Sequence, residues 1–319
     1  MTGTPWKAFR FLAEAGEVSD GNALAEKGRR AEALGYDVLV FSDHLINQMA
    51  PIPAMAVIAA ATERLRIGTF VFNNDLRHPA VLAQDLASLD QLSGGRLEIG
   101  IGAGWNRPEY EETGIPFDSG GIRVKRLEEA IQVLKGIFAP GPFSFKGEHY
   151  TITEMDGLPK PIQKPHPPIL VGGGGRRLLS LAGREADIVG FAPRLMPGTS
   201  KADIRSCLVE ATLEKVAWVK EAAGQRFQDI ELNTYPALGR VIVTDDPKAP
   251  LKELAQRLQD RYGVDLTQEQ LLESPHVFVG SIADLTEKFK AIRLNLGISS
   301  FMTGGIDELA PVVERLAGN

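Results

Sequence analysis

The sequence predicts an α/β fold, a (β/α)8 TIM barrel with insertions, on three observations. Short apolar stretches alternate strictly with segments whose apolar residues recur at helical spacing. The apolar stretches lack the in-out alternation of a half-exposed sheet, which is how parallel strands covered on both faces read. The alternation runs to eight units within 319 residues, a length that single α/β barrels commonly occupy. A doubly wound open sheet is the rival arrangement of the same units.

Along the chain, Phe9 to Ala15 reads as a strand and the following NALAEKGRRAEALG as a helix closed by Gly35. Asp37 to His44 is the second strand, PIPAMAVIAAATER the second helix and LRIGTFVF the third strand. Pro79 opens a helix that ends at Gly94 and Gly95, ahead of the strand RLEIGIG. Pro108, Gly114, Pro116 and a glycine pair then read as a winding loop, with the next helix starting near Ile122. A Pro-rich connector, Leu158 to Pro168, leads to ILVGG, the helix RRLLSLAGREA and the strand DIVGF. A long helix is expected from about Lys201 to Gly224, then IELNTYPAL with GRVIVT, a polar helical insertion from about Pro247 to Glu273, the helix IADLTEKFKAIRLNLG, the strand ISSFMT and a final helix. The whole reads as one barrel domain over residues 1–319, with excursions at about 139–167 and 239–275.

Composition narrows the function. Hydrophobic residues make up 44% and charged residues 24%, as in a globular enzyme. No apolar run reaches the roughly 18 residues of a membrane span, and no secretory signal pattern opens the chain, so a cytoplasmic location is expected. The single cysteine, Cys207, excludes an internal disulfide and reads as a buried helix residue. A net charge of -6 argues against nonspecific nucleic-acid binding. The histidines outside the second strand lie in separate segments, so no metal site is expected.

The run Gly100-Ile101-Gly102-Ala103-Gly104 raises the question of a dinucleotide turn, but the helix such a turn needs at once is missing from this reading. The sequence instead resembles the luciferase-like family of flavin and deazaflavin oxidoreductases. The resemblance rests on FSDHL (Phe41 to Leu45), on Leu76 to Phe117, on PPILVGGGGRRLLSLAGREADIVG (Pro167 to Gly190) and on LGISSFMTGG (Leu296 to Gly305). NNDLRHPAVLA looks most like the branch that uses the deazaflavin F420, and less like the branch that uses reduced FMN and oxygen.

The resemblance implies a site at the C-terminal ends of the strands. His44 is expected to hold or deliver a proton near neutral pH while hydride leaves or arrives at the ring, with Asp43 orienting it or binding the ring's polar edge. Gly102 and Gly104 are expected to let a flat ring approach the backbone, Phe70 and Val71 to flank a non-proline cis peptide behind it, and Trp105 and Asn106 to border it. In the sugar-phosphate-oxidising F420 enzymes a glutamate occupies the position of Trp105 and a tryptophan that of Gln48, so their acid and base roles and their substrate are not carried over. Gly172, Gly173, Gly174 and Gly175, between a strand and a helix, are expected to hold the cofactor phosphate on free backbone N–H groups, with Arg176 and Arg177 adding charge. Lys160 and Lys164 would extend that charge to the acidic tail of F420.

The expected function is therefore hydride transfer between F420 and a small organic substrate. The alternatives are an FMN-dependent monooxygenase supplied by a separate reductase, and a barrel that binds flavin or F420 without catalysis. Apolar faces in PIPAMAVIAAATERL and VLAQDLASLDQL suggest a homodimer.

Overall fold

The computed structural model describes residues 7–16, 20–196 and 199–319. In chain order the elements are β1 (Arg10–Glu14), α1 (Gly21–Ala33), β2 (Val38–Phe41), α2 (Pro51–Ala61), β3 (Arg66–Thr69), β4 (Phe72–Asn73), α3 (Pro79–Leu92), β5 (Leu97–Gly102), α4 (Arg107–Thr113), α5 (Gly120–Phe138), β6 (Phe143–Lys146), β7 (Thr151–Met155), β8 (Ile169–Gly173), α6 (Arg176–Glu185) and β9 (Ile188–Phe191). They continue with β10 (Arg194–Leu195), β11 (Ala202–Asp203), α7 (Val209–Ala223), β12 (Glu231–Thr234), β13 (Ile242–Val243), α8 (Lys248–Tyr262), α9 (Gln268–Glu273), β14 (Val279–Gly280), α10 (Ile282–Leu296), β15 (Ser300–Met302) and α11 (Ala310–Leu316). The hydrogen-bonded order β3-β2-β1-β15-β12-β9-β8-β5, with β5 returning to β3, closes eight strands into a barrel.

The chain falls into two compact units, one of residues 15–29 and 39–172, the other of residues up to 14, 30–38 and 173–319. In the first, β5 is buried at every position and pairs in parallel with β3, β4 and β8. Below it, the fully buried Asp90 accepts the backbone N–H of Gln163 at 2.9 Å and its side-chain amide at 2.7 Å, fixing the connector to the start of the strand. In the second unit, Phe9, Phe11, Phe278, Phe289 and Phe301 form an aromatic cluster, with the Phe289 and Phe301 rings stacked at 4.3 Å. Arg10 donates to both oxygens of Glu231, at 3.0 and 2.8 Å.

Several boundaries differ from the sequence reading. The second strand ends at Phe41, so Asp43 and His44 lie in the loop just after it. The third is interrupted at Phe70–Val71, whose peptide bond is cis, and resumes as β4. The winding loop contains α4, which Pro108 initiates and Gly114, in the left-handed region, terminates; a proline read as a breaker there is a helix starter. The expected helix from Lys201 is instead β11, a 3-10 turn holding the buried Cys207, and α7. Ser206 explains the break: its hydroxyl donates to the Asp203 carbonyl at 2.6 Å and accepts the Arg194 N–H at 2.8 Å, a local bonding pattern that competes with helix. The excursion at 139–167 carries the antiparallel β6/β7 hairpin. That at 239–275 is less polar than expected, since Leu251, Leu254, Leu258 and Leu271 share an apolar cluster with Ile204, Cys207 and Leu238.

Candidate active site

In the first unit the loop after β2 is held by its own residues. The side-chain amide of Gln48 donates to the Ser42 carbonyl at 2.8 Å and to the His44 carbonyl at 3.1 Å, while the Ser42 hydroxyl donates to Gln48 Oε1 at 2.7 Å. From this pinned backbone the His44 ring places Nδ1 2.9 Å from Glu109 Oε1, in the first turn of α4. Trp105, about half exposed, meets the His44 ring edge-on with centroids 5.6 Å apart.

Asp43 does not orient His44. Its carboxylate accepts Arg77 Nη1 at 2.6 Å and Nη2 at 3.0 Å, and the backbone N–H of Asn73 at 3.0 Å. A buried carboxylate takes the strongest donors within reach, and the fork of Arg77 matches both its oxygens. Asp43 thus ties the loop after β2 to the strand that resumes after the cis Phe70–Val71 bond. The group that orients His44 is Glu109, and the sequence reading missed it because α4 was read as loop.

The glycines answer to the protein itself. A Cβ at Gly100 would lie 1.8 Å from the Thr69 carbonyl oxygen, and one at Gly102 2.8 Å from Val71 Cγ2. Gly104 has φ +74° and would strike the Tyr110 hydroxyl at 1.9 Å. Packing against the bulged strand and Tyr110 therefore accounts for glycine at these positions, and the run is no separate sign of a ring. Behind it, Tyr110 lies 3.0 Å from both Asn73 Oδ1 and Asp75 Oδ2, and burial raises its pKa, with the Asp75 charge adding to the rise. The buried Arg123 donates to the Ala103 carbonyl at 3.2 Å and packs over Phe117 at 4.0 Å. Burial lowers its pKa, and the same side chain fixes the Gly102–Gly104 turn. Asn106 occupies the N-cap of α4 without a side-chain cap bond.

Lys160 and Lys164, in the first unit, are each held by neighbouring groups. Lys160 donates to the Ile137 carbonyl at 2.8 Å and pairs with Asp156 at 3.1 Å, and Lys164 donates to the Pro161 carbonyl at 3.1 Å. Both precede β8, whereas Arg176 and Arg177 follow it and belong to the second unit.

In the second unit, Gly173 to Gly175 lead into α6. A Cβ at Gly174 would lie 2.4 Å from the Pro193 carbonyl, and one at Gly173 2.4 Å from Leu178 Cδ2, so both glycines permit close packing. Gly175, the N-cap, offers no side chain to cap the helix and has open space where a Cβ would stand. The first-turn N–H groups of α6 thus lack a side-chain acceptor from their own cap, which fits an anion. Arg176, exposed, donates to Glu221 Oε2 at 3.1 Å.

A carboxylate-held histidine just past a strand end stands in the first unit, and a glycine turn opening a helix in the second. The profile of the luciferase-like monooxygenase family matches residues 8–290, and the chain belongs to that family. It is 36% identical over 141 residues to an FMNH2-dependent dimethylsulfone monooxygenase of Pseudomonas putida, covering 44% of this chain and 39% of that protein. It is 34% identical over 174 residues to an F420-dependent glucose-6-phosphate dehydrogenase of Microbacterium testaceum, covering 52% of this chain and 51% of that protein. The chain thus spans about half the length, or less, of these curated relatives. The solved structure of a coenzyme F420-dependent tetrahydromethanopterin reductase from Methanopyrus kandleri superposes with a TM-score of 0.74 over 97% of each chain at 19% identity, which shows the fold.

Proposed function

We propose that the protein is an oxidoreductase that transfers a hydride between coenzyme F420 and a small organic substrate, with His44 as the proton partner. The observation that carries this reading is the His44 imidazole, oriented through Nδ1 by the buried Glu109 beside a half-exposed Trp105. Bound F420 would supply a ring carbon that accepts or gives hydride. Oxidation of a carbinol also releases a proton, and the remaining nitrogen of His44 takes it; in carbonyl reduction it returns it. Gly172, Gly173, Gly174 and Gly175 would hold the cofactor phosphate through backbone N–H groups, with Arg176 and Arg177 adding charge. Phe70, Val71, Gly102, Gly104, Trp105 and Asn106 would border the ring, and Asp43 would keep Arg77 and the bulged strand in place beside it.

A second reading, an FMN-dependent monooxygenase using reduced flavin and oxygen, is favoured by one observation. Lys160 and Lys164 are held by groups that precede β8, which leaves Arg176 and Arg177 as the charges for an acidic F420 tail. This reading needs a separate reductase to supply reduced flavin. Parallel titration of the purified protein with F420 and FMN discriminates the two. F420 is expected to bind more tightly, and FMN binding without F420 binding would move the protein to the monooxygenase branch. Turnover that survives replacement of His44 undiminished would remove His44 from the reaction, and absence of any turnover with bound cofactor would favour a carrier. The protein is proposed to pair with a second copy through α2 and α3, where Val57, Val81 and Leu92 are exposed; light scattering at micromolar protein should return a dimer mass.

A further inference from the structure

We propose that Glu109 is a positioning residue that locks His44 in the tautomer with its proton on Nδ1, so that the imidazole meets the substrate with its lone pair on Nε2. The inference rests on the reading of His44 as the proton partner. Glu109 Oε1 receives two groups, the backbone N–H of Leu45 at 3.1 Å and His44 Nδ1 at 2.9 Å. The amide of Leu45 can only donate, so this oxygen is an acceptor there. An ionised carboxylate has lone pairs for both partners and no proton to give, so Nδ1 carries the hydrogen and a neutral ring is left with its lone pair on Nε2.

Glu109 is buried in the first turn of α4. It holds the loop at Leu45, Gln48 and Ser42 hold that loop independently of Glu109, and the contact with His44 Nδ1 is separate from both. Glu109 therefore acts on the direction of the ring and on its tautomer.

The chemical consequence is directional. When a carbinol is oxidised, its C–H bond breaks with the electron pair leaving as hydride to the cofactor, its O–H bond breaks with the proton passing to Nε2, and C=O forms. The resulting imidazolium is protonated on both nitrogens and faces the Glu109 carboxylate across Nδ1, which offsets its charge; water then removes the proton. With the opposite tautomer Nε2 would already carry a hydrogen and could not take another from the substrate.

Two measurements test this. The first is the ¹⁵N imidazole spectrum of the protein without cofactor above pH 8, with the His44 signal assigned by its loss in His44→Asn. The protein should show the Nδ1–H form, Glu109→Gln should keep it because the amide oxygen can still accept, and Glu109→Ala should shift His44 to mainly Nε2–H. An Nε2–H ring in the unsubstituted protein, or an unchanged Nδ1–H ring in Glu109→Ala, overturns the assignment. The second is the single-turnover rate of cofactor reduction. Glu109→Ala should lower it about tenfold or more with cofactor affinity and KM little changed, and Glu109→Gln should recover part of it. A full rate in Glu109→Ala with the tautomer lost overturns the positioning role, whereas a full rate in His44→Ala sinks the function reading and leaves the tautomer result standing.

Discussion

His44 and His276 make the same local contact in two different regions and are suited to opposite work. Each places Nδ1 against an oxygen, His44 at 2.9 Å from Glu109 Oε1 and His276 at 3.0 Å from the Tyr235 carbonyl. The first oxygen belongs to a carboxylate and the ring is partly open to solvent; the second is a neutral carbonyl and the ring is fully buried. Burial, with the nearby Lys215 charge, pushes the pKa of His276 down to about 3. Lys215 is itself pushed down to about 8 by burial and donates to the Ala192 and Ser206 carbonyls, each at 2.7 Å. His276 and Lys215 are thus buried polar groups that join their backbone surroundings, and a histidine ferries protons only where its charged form is tolerated.

The sharpest way to break this comparison is to remove each ring in turn. His44→Ala should slow single-turnover hydride transfer by roughly 10²-fold or more, the usual contribution of a general acid or base, with little change in melting temperature. A comparable rate loss in His276→Ala would show that the buried region also serves the chemistry. The expected result there is a full rate and a loss of about 2 kcal/mol in denaturant unfolding, because the Tyr235 carbonyl loses its donor and a void is left.

Acid sharpens the contrast further. With a folded pKa of about 3 for His276 against about 6.5 in the unfolded chain, the unfolded state binds a proton that the folded state refuses. This contribution to stability is fully present above about pH 6.5 and is lost as pH falls towards 3, at up to about 1.4 kcal/mol per pH unit. Urea unfolding from pH 7 to pH 5 should therefore give a shallower pH dependence in His276→Gln than in the unsubstituted protein. Equal slopes would mean that His276 is protonated in the folded state.

The barrel was legible in the sequence because each buried strand leaves a run of apolar residues between helical segments, and the strands from Arg10–Glu14 to Ser300–Met302 fall where those runs lie. His44 is proposed from the sequence on the resemblance that FSDHL carries, added to its place after an apolar run. Its partner was not legible there. Glu109 is one of several acidic residues in RPEYEET, and only the turn of α4 started by Pro108 aims it at the ring. That Asp43 pairs with Arg77 rather than orienting His44 was hidden for the same reason: sequence gives the charge, while the partner depends on how β4 resumes after Phe70–Val71. Gly100 and Gly104 look alike in sequence whether a ligand or a neighbouring protein atom, the Thr69 carbonyl or the Tyr110 hydroxyl, forbids a side chain.

The smallest expected effect belongs to the glycine turn. Arg176 and its partner Glu221 are both exposed, with side chains 62% and 68% accessible, and such a pair contributes little on its own because water and salt screen it. In the proposed function the charge of Arg176 would act on a bound phosphate or acidic tail at surface strength, beside the backbone N–H groups of α6. Arg176→Ala and Arg177→Ala should each weaken F420 binding by a few-fold, equivalent to about 1 kcal/mol or less, without altering the single-turnover rate at saturation. The loss should shrink as ionic strength rises. Glu221→Ala should act in the opposite direction and tighten binding, since it releases Arg176 from its competitor. Equilibrium titration by cofactor fluorescence at low and high salt decides this: a loss near 10²-fold that salt does not reduce would mean that the arginines are desolvated around the anion, and the turn would then resemble the buried pairs of Asp43 and Glu109 more than an open surface.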